Sequence, residues 1–138
     1  MVATRSRKIE RVVLVVDDDA TIRDLLEEVI SARGHEVVTV GSGEEAVKQV
    51  KKRHFHLIFL DWSLPGMSGA EALIAIKAED ERAVVVVITG YRDNHMTLVT
   101  ISLGARLLIS KPFQIKDIVE VLNMVNEGER LNGESHNG

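Results

Sequence analysis

Short apolar runs recur along the chain, and four of them end at a polar residue. The runs and the residues that follow them are Val12–Val16 before Asp17, Leu57–Leu60 before Asp61, Val84–Ile88 before Thr89, and Leu107–Ser110 before Lys111. Continuous apolar stretches of this length, separated by helix-patterned segments, are typical of parallel strands buried on both faces. The carboxyl ends of parallel strands open into one crevice, so we expect the acids, the threonine and the lysine to converge there.

The segments between these runs are patterned as helices. Two of them begin with a serine followed three residues later by a glutamate, at Ser42 and at Ser68, which is the pattern of a capping box. The fourth helical segment, Asp93–Leu103, is rich in β-branched residues and is predicted to be the least stable helix. The predicted helices are Ile22–Ile30 with Gly34 as its stop, Ser42–Lys52, Ser68–Glu79, Asp93–Leu103 and Ile115–Val125, and Glu36–Val40 is a further strand. Five strands alternating with five helices predict an α/β fold, a doubly wound parallel sheet.

Length and composition restrict the function. The 138 residues suit one domain, and the formal charge of −4 with a pI near 5.7 argues against direct binding of nucleic acid. No apolar stretch is long enough to span a membrane, and the first residues lack the apolar core of a signal peptide, so we expect a cytoplasmic protein without membrane contact. The absence of cysteine excludes disulfides. The polar segments 1–10 and 127–138 are predicted to be disordered and flexible, around a domain over 11–126.

The predicted crevice has the residue types of a site for a divalent cation and a phosphoryl group. Mg²⁺ prefers oxygen ligands, and Asp17, Asp18 and Asp61 supply carboxylates. An aspartate can attack phosphorus and carry the group as an acyl phosphate. Lys111 can pair with the phosphate as a point charge, and the hydroxyl of Thr89 can donate a hydrogen bond to it.

Each of these residues also has an ordinary structural interpretation. An aspartate after a strand is often a turn former or helix cap, which for Asp19 is about as probable as a functional role. A histidine pair such as His54 and His56 is more often a surface feature than a metal site. Trp62 and Met67 beside Asp61 are expected to cover the end of the sheet. The joint placement of the polar residues at four strand ends is what favours a site.

The motifs at these strand ends resemble the receiver domain of two-component response regulators, including chemotaxis receivers and those of sigma-54-dependent activators. The motifs are Val16-Asp17-Asp18, Leu60-Asp61-Trp62-Ser63-Leu64-Pro65-Gly66, Ile88-Thr89-Gly90-Tyr91, Leu103-Gly104-Ala105 and Ser110-Lys111-Pro112-Phe113. The resemblance implies a flavodoxin-like sheet of strand order 2-1-3-4-5. It further implies that Asp61 is the phosphoacceptor, that Lys111 contacts the phosphate and that Thr89 is the switch hydroxyl. Asp17, Asp18, Asp61 and the backbone carbonyl of Ser63 are the implied ligands of Mg²⁺.

The resemblance also implies partners. These are a histidine kinase or phosphotransfer protein as donor, a downstream effector or a removed output domain, and a phosphorylation-dependent homodimer. Such a protein is not a conventional enzyme, although it assists its own phosphoryl transfer and dephosphorylation.

One position departs from the family pattern. Receivers usually have tyrosine or phenylalanine three residues before the lysine, where this chain has Leu108. The coupling of that residue to Thr89 is therefore expected to differ, and Ser63 and Tyr91 occupy positions that in the family influence access of water to the acyl phosphate. A pseudo-receiver, which keeps the fold and binds partners without a phosphorylation switch, is the alternative function.

Overall fold

A computed structural model describes residues 11–90 and 93–125 of the chain. The strands are β1 (Val12–Val16), β2 (Glu36–Val40), β3 (Leu57–Asp61), β4 (Val85–Thr89) and β5 (Leu107–Ser110). The helices are α1 (Ala20–Ser31), α2 (Gly43–Lys52), α3 (Gly69–Glu79), α4 (Asn94–Ser102) and α5, which covers 115–125. The predictions for segments 1–10 and 127–138, and for Tyr91, fall outside the described residues.

All five strands are parallel and lie in the order β2-β1-β3-β4-β5. The prediction of a doubly wound α/β sheet of order 2-1-3-4-5 is therefore confirmed. Every residue of β3 and of β4 is buried, because helices cover both faces of the sheet. No helix in the described part of the chain is both long enough and apolar enough to cross a membrane.

Alternate strand residues contribute to two separate cores. Leu14, Ile58 and Val87 face one side of the sheet, where they pack with residues of α2 and α3. Val15 and Phe59 face the other side, where they pack with residues of α1 and α5. This alternation follows from the two-residue period of a strand. It leaves the strand ends as the only part of each central strand that can present polar groups.

The starts of the helices follow the predicted caps, with one correction. Ser68 and Glu71 form a complete capping box at the start of α3. At α2 the Ser42 hydroxyl accepts a hydrogen bond from the Glu45 N–H, but the Glu45 carboxylate accepts from the N–H of Gly41. The prediction of a reciprocal box at Ser42 was therefore wrong, because the glutamate reaches one residue further back along the chain.

Strand β4 is shifted by one residue from its predicted bounds of Val84–Ile88. It begins at Val85 and includes Thr89, which lies opposite Ser110 of β5. The Lys111 N–H donates to the Thr89 carbonyl at 2.8 Å. Pairing with β5 thus keeps Thr89 within the sheet, at its last position before the crevice.

Candidate functional site

Four adjacent strand ends bring the predicted site residues together. Asp17 directly follows β1, Asp61 is the last residue of β3, Thr89 is the last residue of β4, and Lys111 directly follows β5. Asp17, Asp61 and Thr89 are buried, with exposed fractions of 1%, 3% and 0%. The predicted convergence of acids, threonine and lysine at one edge of the sheet is therefore present in the fold.

The acids form one cluster. Asp17, Asp18 and Asp61 each offer a carboxylate oxygen, and these oxygens all lie within 4.8 Å of one another. Asp17 Oδ1 accepts a hydrogen bond from the backbone N–H of Asp19 at 2.9 Å. Asp61 Oδ1 accepts from the N–H of Ser63 at 3.1 Å. Backbone hydrogen bonds thus fix the orientation of the two buried carboxylates.

Lys111 is the counter-ion of both buried acids. Its Nζ lies 3.4 Å from Asp17 Oδ2 and 3.3 Å from Asp61 Oδ2. The lysine side chain keeps 30% of its surface exposed, whereas the two carboxylates are almost fully buried. The ammonium group therefore closes the crevice from the β5 side while retaining contact with water.

Burial and neighbouring charges shift the pKa values of Asp17 and Lys111. Burial raises the pKa of Asp17 above its ordinary 3.8, the N–H of Asp19 opposes this, and the nearby charge of Asp61 raises it further. Burial lowers the pKa of Lys111, but Asp17 and Asp61 more than offset it, so the pKa lies above the ordinary 10.5. The cluster therefore carries excess negative charge that one lysine does not fully compensate.

The donor set fits a hard divalent cation. Three carboxylates within one small volume are the ligands that Mg²⁺ prefers. Asp17 Oδ2 is buried and, among the described residues, accepts no hydrogen bond, although Lys111 lies nearby. Buried charges are stabilised by ion pairing or by metal coordination, so this oxygen, which is paired with Lys111, has the chemistry of a metal ligand as well. No other cluster of three acidic or histidine side chains within the described ranges has this geometry.

Several residues have structural roles that the sequence left open. Asp19 is the N-cap of α1, and its carboxylate accepts a hydrogen bond from the Thr21 N–H. His54 pairs with Asp80, and His56 Nδ1 accepts from the backbone N–H of Val12. These histidines thus make structural contacts, His54 with the C-cap of α3 and His56 with the first residue of β1. Trp62 and Met67 are partly buried and pack against the core on the α2–α3 side of the sheet.

The positions expected to modulate the switch are only partly described. Leu108 is 4% exposed and packs in the core on the α2–α3 side of the sheet. Ser63 is exposed at the start of the β3–α3 loop. Tyr91 lies outside the described residues. Leu108 is therefore an inward-facing core residue in this state.

Sequence reasoning missed two residues that contact the loops of the site. Arg23 Nη1 donates to the Asp17 carbonyl at 2.7 Å, across the turn between β1 and α1. Glu44 Oε2 accepts from the N–H of Met67 at 3.2 Å. Arg23 is only six residues from its partner, but Glu44 is 23 residues from Met67, so no local pattern marks it.

Comparisons with known proteins agree with this geometry. Residues 13–123 match the family model of the response regulator receiver domain. Chemotaxis protein CheY from Thermotoga maritima is 34% identical over 116 residues, which cover 83% of this chain and 97% of that protein. Sporulation initiation phosphotransferase F from Bacillus subtilis is 37% identical over 106 residues, which cover 77% of this chain and 86% of that protein.

A solved structure shares the fold. The CheY-like response regulator receiver domain protein from Methanospirillum hungatei superposes with a TM-score of 0.82 at 26% identity. The superposition covers 88% of this chain and 98% of that one. The two proteins thus share the fold over most of this chain.

Proposed function

We propose that this chain, which belongs to the response regulator receiver domain family, accepts a phosphoryl group on Asp61 and thereby changes its affinity for a partner. The observation that carries the proposal is the environment of the Asp61 carboxylate. It is buried at a strand end, oriented by the Ser63 N–H, and lies 3.3 Å from the ammonium group of Lys111. A nucleophile and a phosphate-binding cation are thus side by side in one crevice.

The transfer requires no redox partner. A carboxylate oxygen of Asp61 attacks the phosphorus of a phosphohistidine on the donor, so that a P–O bond forms as the P–N bond breaks. The departing imidazole nitrogen takes up a proton from solvent. Lys111 then pairs with the phosphoryl oxygens, and the Thr89 hydroxyl donates a hydrogen bond to one of them. Hydrolysis of the acyl phosphate by water breaks the P–O bond to Asp61, releases inorganic phosphate and restores the free carboxylate.

The acidic cluster is the proposed place of a divalent cation. The clustered carboxylates of Asp17, Asp18 and Asp61 would hold Mg²⁺. The backbone carbonyl of Ser63 is the proposed fourth ligand, as the family resemblance implies. The ion would supply positive charge that offsets the repulsion between a carboxylate nucleophile and the anionic phosphoryl group. Asp17 and Asp18 would hold the ion and would make no bond to phosphorus.

The family suggests the classes of partner. Response regulators interact with histidine kinases and with output or effector domains. For this chain we infer a histidine kinase or phosphotransfer protein as donor and a downstream effector or output domain as reader. A phosphorylation-dependent homodimer and a cytoplasmic location are further parts of the proposal.

Intact mass measured after incubation with Mg²⁺ and a small phosphodonor tests the nucleophile. The wild-type protein should gain the mass of one phosphoryl group, and Asp61→Asn should gain none. Asp24→Asn, an equal change of charge at an exposed position of α1, is the matched control and should be phosphorylated normally. Full phosphorylation of Asp61→Asn would place the nucleophile on another residue.

The proposed switch element is α4 with the loop before it. The only buried residue of this helix is Thr100, and Leu98 is 70% exposed, so tertiary packing holds it weakly. Leu108 has no hydroxyl and is already buried, which leaves the segment 89–103 to respond to Thr89.

Hydrogen exchange measured with and without beryllofluoride, which stands in for the phosphoryl group, separates a switch from a pseudo-receiver. A switch should show its largest change in protection within 89–103. A response confined to α1 and α5 would contradict this mechanism, and no response anywhere would indicate the pseudo-receiver.

A further inference from the structure

The β3–α3 loop, residues 62–68, is docked on the first turn of α2. The backbone N–H of Met67 donates to Glu44 Oε2 at 3.2 Å. The Met67 side chain packs on the backbone of Gly43, where a Cβ would lie 3.2 Å from both Cγ and Sδ of the methionine. The loop that leaves the phosphoacceptor thus rests on a neighbouring helix through one polar and one apolar contact.

The loop backbone is shaped to receive the glutamate. Gly66 has a φ of +74°, a conformation that favours glycine. A Cβ at Gly66 would lie 3.2 Å from Glu44 Oε2, so the carboxylate packs directly against the loop backbone. The Glu44 carboxylate therefore contacts two consecutive loop residues, Gly66 and Met67.

We propose that Glu44 is a positioning residue for the metal site, which it serves by fixing the loop that carries Ser63. This inference rests on the proposed function, in which the Ser63 carbonyl is a ligand. Ser63 donates its N–H to Asp61 at one end of the loop, and Met67 donates its N–H to Glu44 near the other end. With both ends held, the carbonyl between them is oriented before the ion binds, which lowers the entropy cost of binding.

The neighbouring glutamate provides a matched control. Glu45 lies in the same turn of α2 and is also exposed, and its Oε1 accepts from the N–H of Gly41 at 2.9 Å. That contact holds the segment leading into α2, which carries no proposed ligand. Glu44→Ala and Glu45→Ala thus remove the same charge and one backbone contact each, but on different loops.

The experiment is a Mg²⁺ titration of the full chain, followed by the fluorescence of Trp62, the only tryptophan, which adjoins Asp61. Glu44→Ala should raise the dissociation constant for Mg²⁺ about threefold to tenfold. This increase is smaller than the one caused by removing a residue that hydrogen-bonds a metal ligand directly, because Glu44 acts on the ligand through the loop. Glu45→Ala should change it by less than about twofold. Glu44→Gln keeps an acceptor for the Met67 N–H without the charge, and should bind Mg²⁺ nearly as the wild type does.

A second readout needs no metal. The amide proton of Met67, followed by NMR in the presence of a chelator, should lose protection from exchange in Glu44→Ala and keep it in Glu44→Gln. Equal Mg²⁺ affinities for the two alanine variants would overturn the proposal, as would a glutamine variant as weak as Glu44→Ala, since charge alone would then be the cause. In either case Mg²⁺ binding by the wild type would leave the proposed function standing. A wild type without Mg²⁺ binding would refute both.

Discussion

Asp17→Asn should stabilise the metal-free protein, because it removes a buried charge from a crowded cluster. At 4.8 Å and an effective dielectric constant of about 20, the repulsion between the Asp17 and Asp61 carboxylates is at least about 3.5 kcal/mol. The attraction between Asp17 and Lys111 at 3.4 Å is about 5 kcal/mol on the same scale. Burial of the carboxylate costs several kcal/mol more. The amide weakens the bond to the Asp19 N–H, so the expected net gain is about 1–2 kcal/mol.

The pH dependence of this gain has a definite sign. Burial is the main cause of the raised pKa of Asp17, so the folded protein binds a proton at this site more tightly than the unfolded chain does. The contribution of Asp17 to the free energy of unfolding of the wild type therefore falls as the pH rises. The fall begins at 3.8, the ordinary pKa of an aspartate, and ends above the raised pKa of Asp17. The advantage of Asp17→Asn should appear over that interval, reach its full size at neutral pH, and vanish below 3.8.

Urea denaturation at neutral pH, first with a chelator and then with Mg²⁺, tests the expected stability difference between Asp17→Asn and the wild type in the absence and in the presence of metal. The asparagine variant should be the more stable protein in chelator. Mg²⁺ at ten times its dissociation constant should add about 1.4 kcal/mol to the wild type and much less to the variant. Asp24→Asn is again the control for net charge. The reasoning is refuted if Asp17→Asn is less stable than the wild type in chelator, or if Mg²⁺ stabilises both proteins equally.

Three other substitutions probe different contacts. Lys111→Met leaves two buried carboxylates without their cation and should lower the metal-free stability by about 2–3 kcal/mol in urea denaturation, whereas unchanged stability would show that the pair is uncoupled. Asp80→Asn removes the partner of His54, whose hydrogen bond lowers the pKa of Asp80. The loss of stability, up to about 1 kcal/mol in urea denaturation at pH 5, should shrink as the pH falls below 3.8, and a loss of equal size in acid would contradict this. Gly69→Ala would place a Cβ 2.7 Å from Trp62 backbone atoms and should cost about 1–3 kcal/mol of thermal stability; a neutral effect would mean that the loop can yield.

The sequence predicts the sheet well because its signals are local. Strand β3 is apolar at every position up to Asp61, and this pattern is typical of a central strand covered on both faces. Once the strands are parallel, the placement of Asp17, Asp61 and Lys111 at one edge follows from topology alone. The acidic cluster could therefore be predicted before any distance between the acids was known.

Contacts between distant segments were not predictable in this way. The pairs Glu44 with Met67 and His54 with Asp80 are 23 and 26 residues apart, and both involve exposed polar residues of ordinary type. Their formation depends on how two loops meet after the helices have packed. The shift of β4 to include Thr89 has the same origin, since pairing with β5 decides the last residue of the strand.

Lys111 connects the chemistry of the crevice to the outer edge of the sheet. Its side chain reaches the acids that end β1 and β3, and its backbone N–H bonds to the Thr89 carbonyl at the end of β4. One residue directly after the edge strand thus contacts the carboxyl ends of three inner strands, β1, β3 and β4. A redistribution of charge among the acids therefore changes the electrostatic force on Lys111, and through its backbone the force on the end of β5.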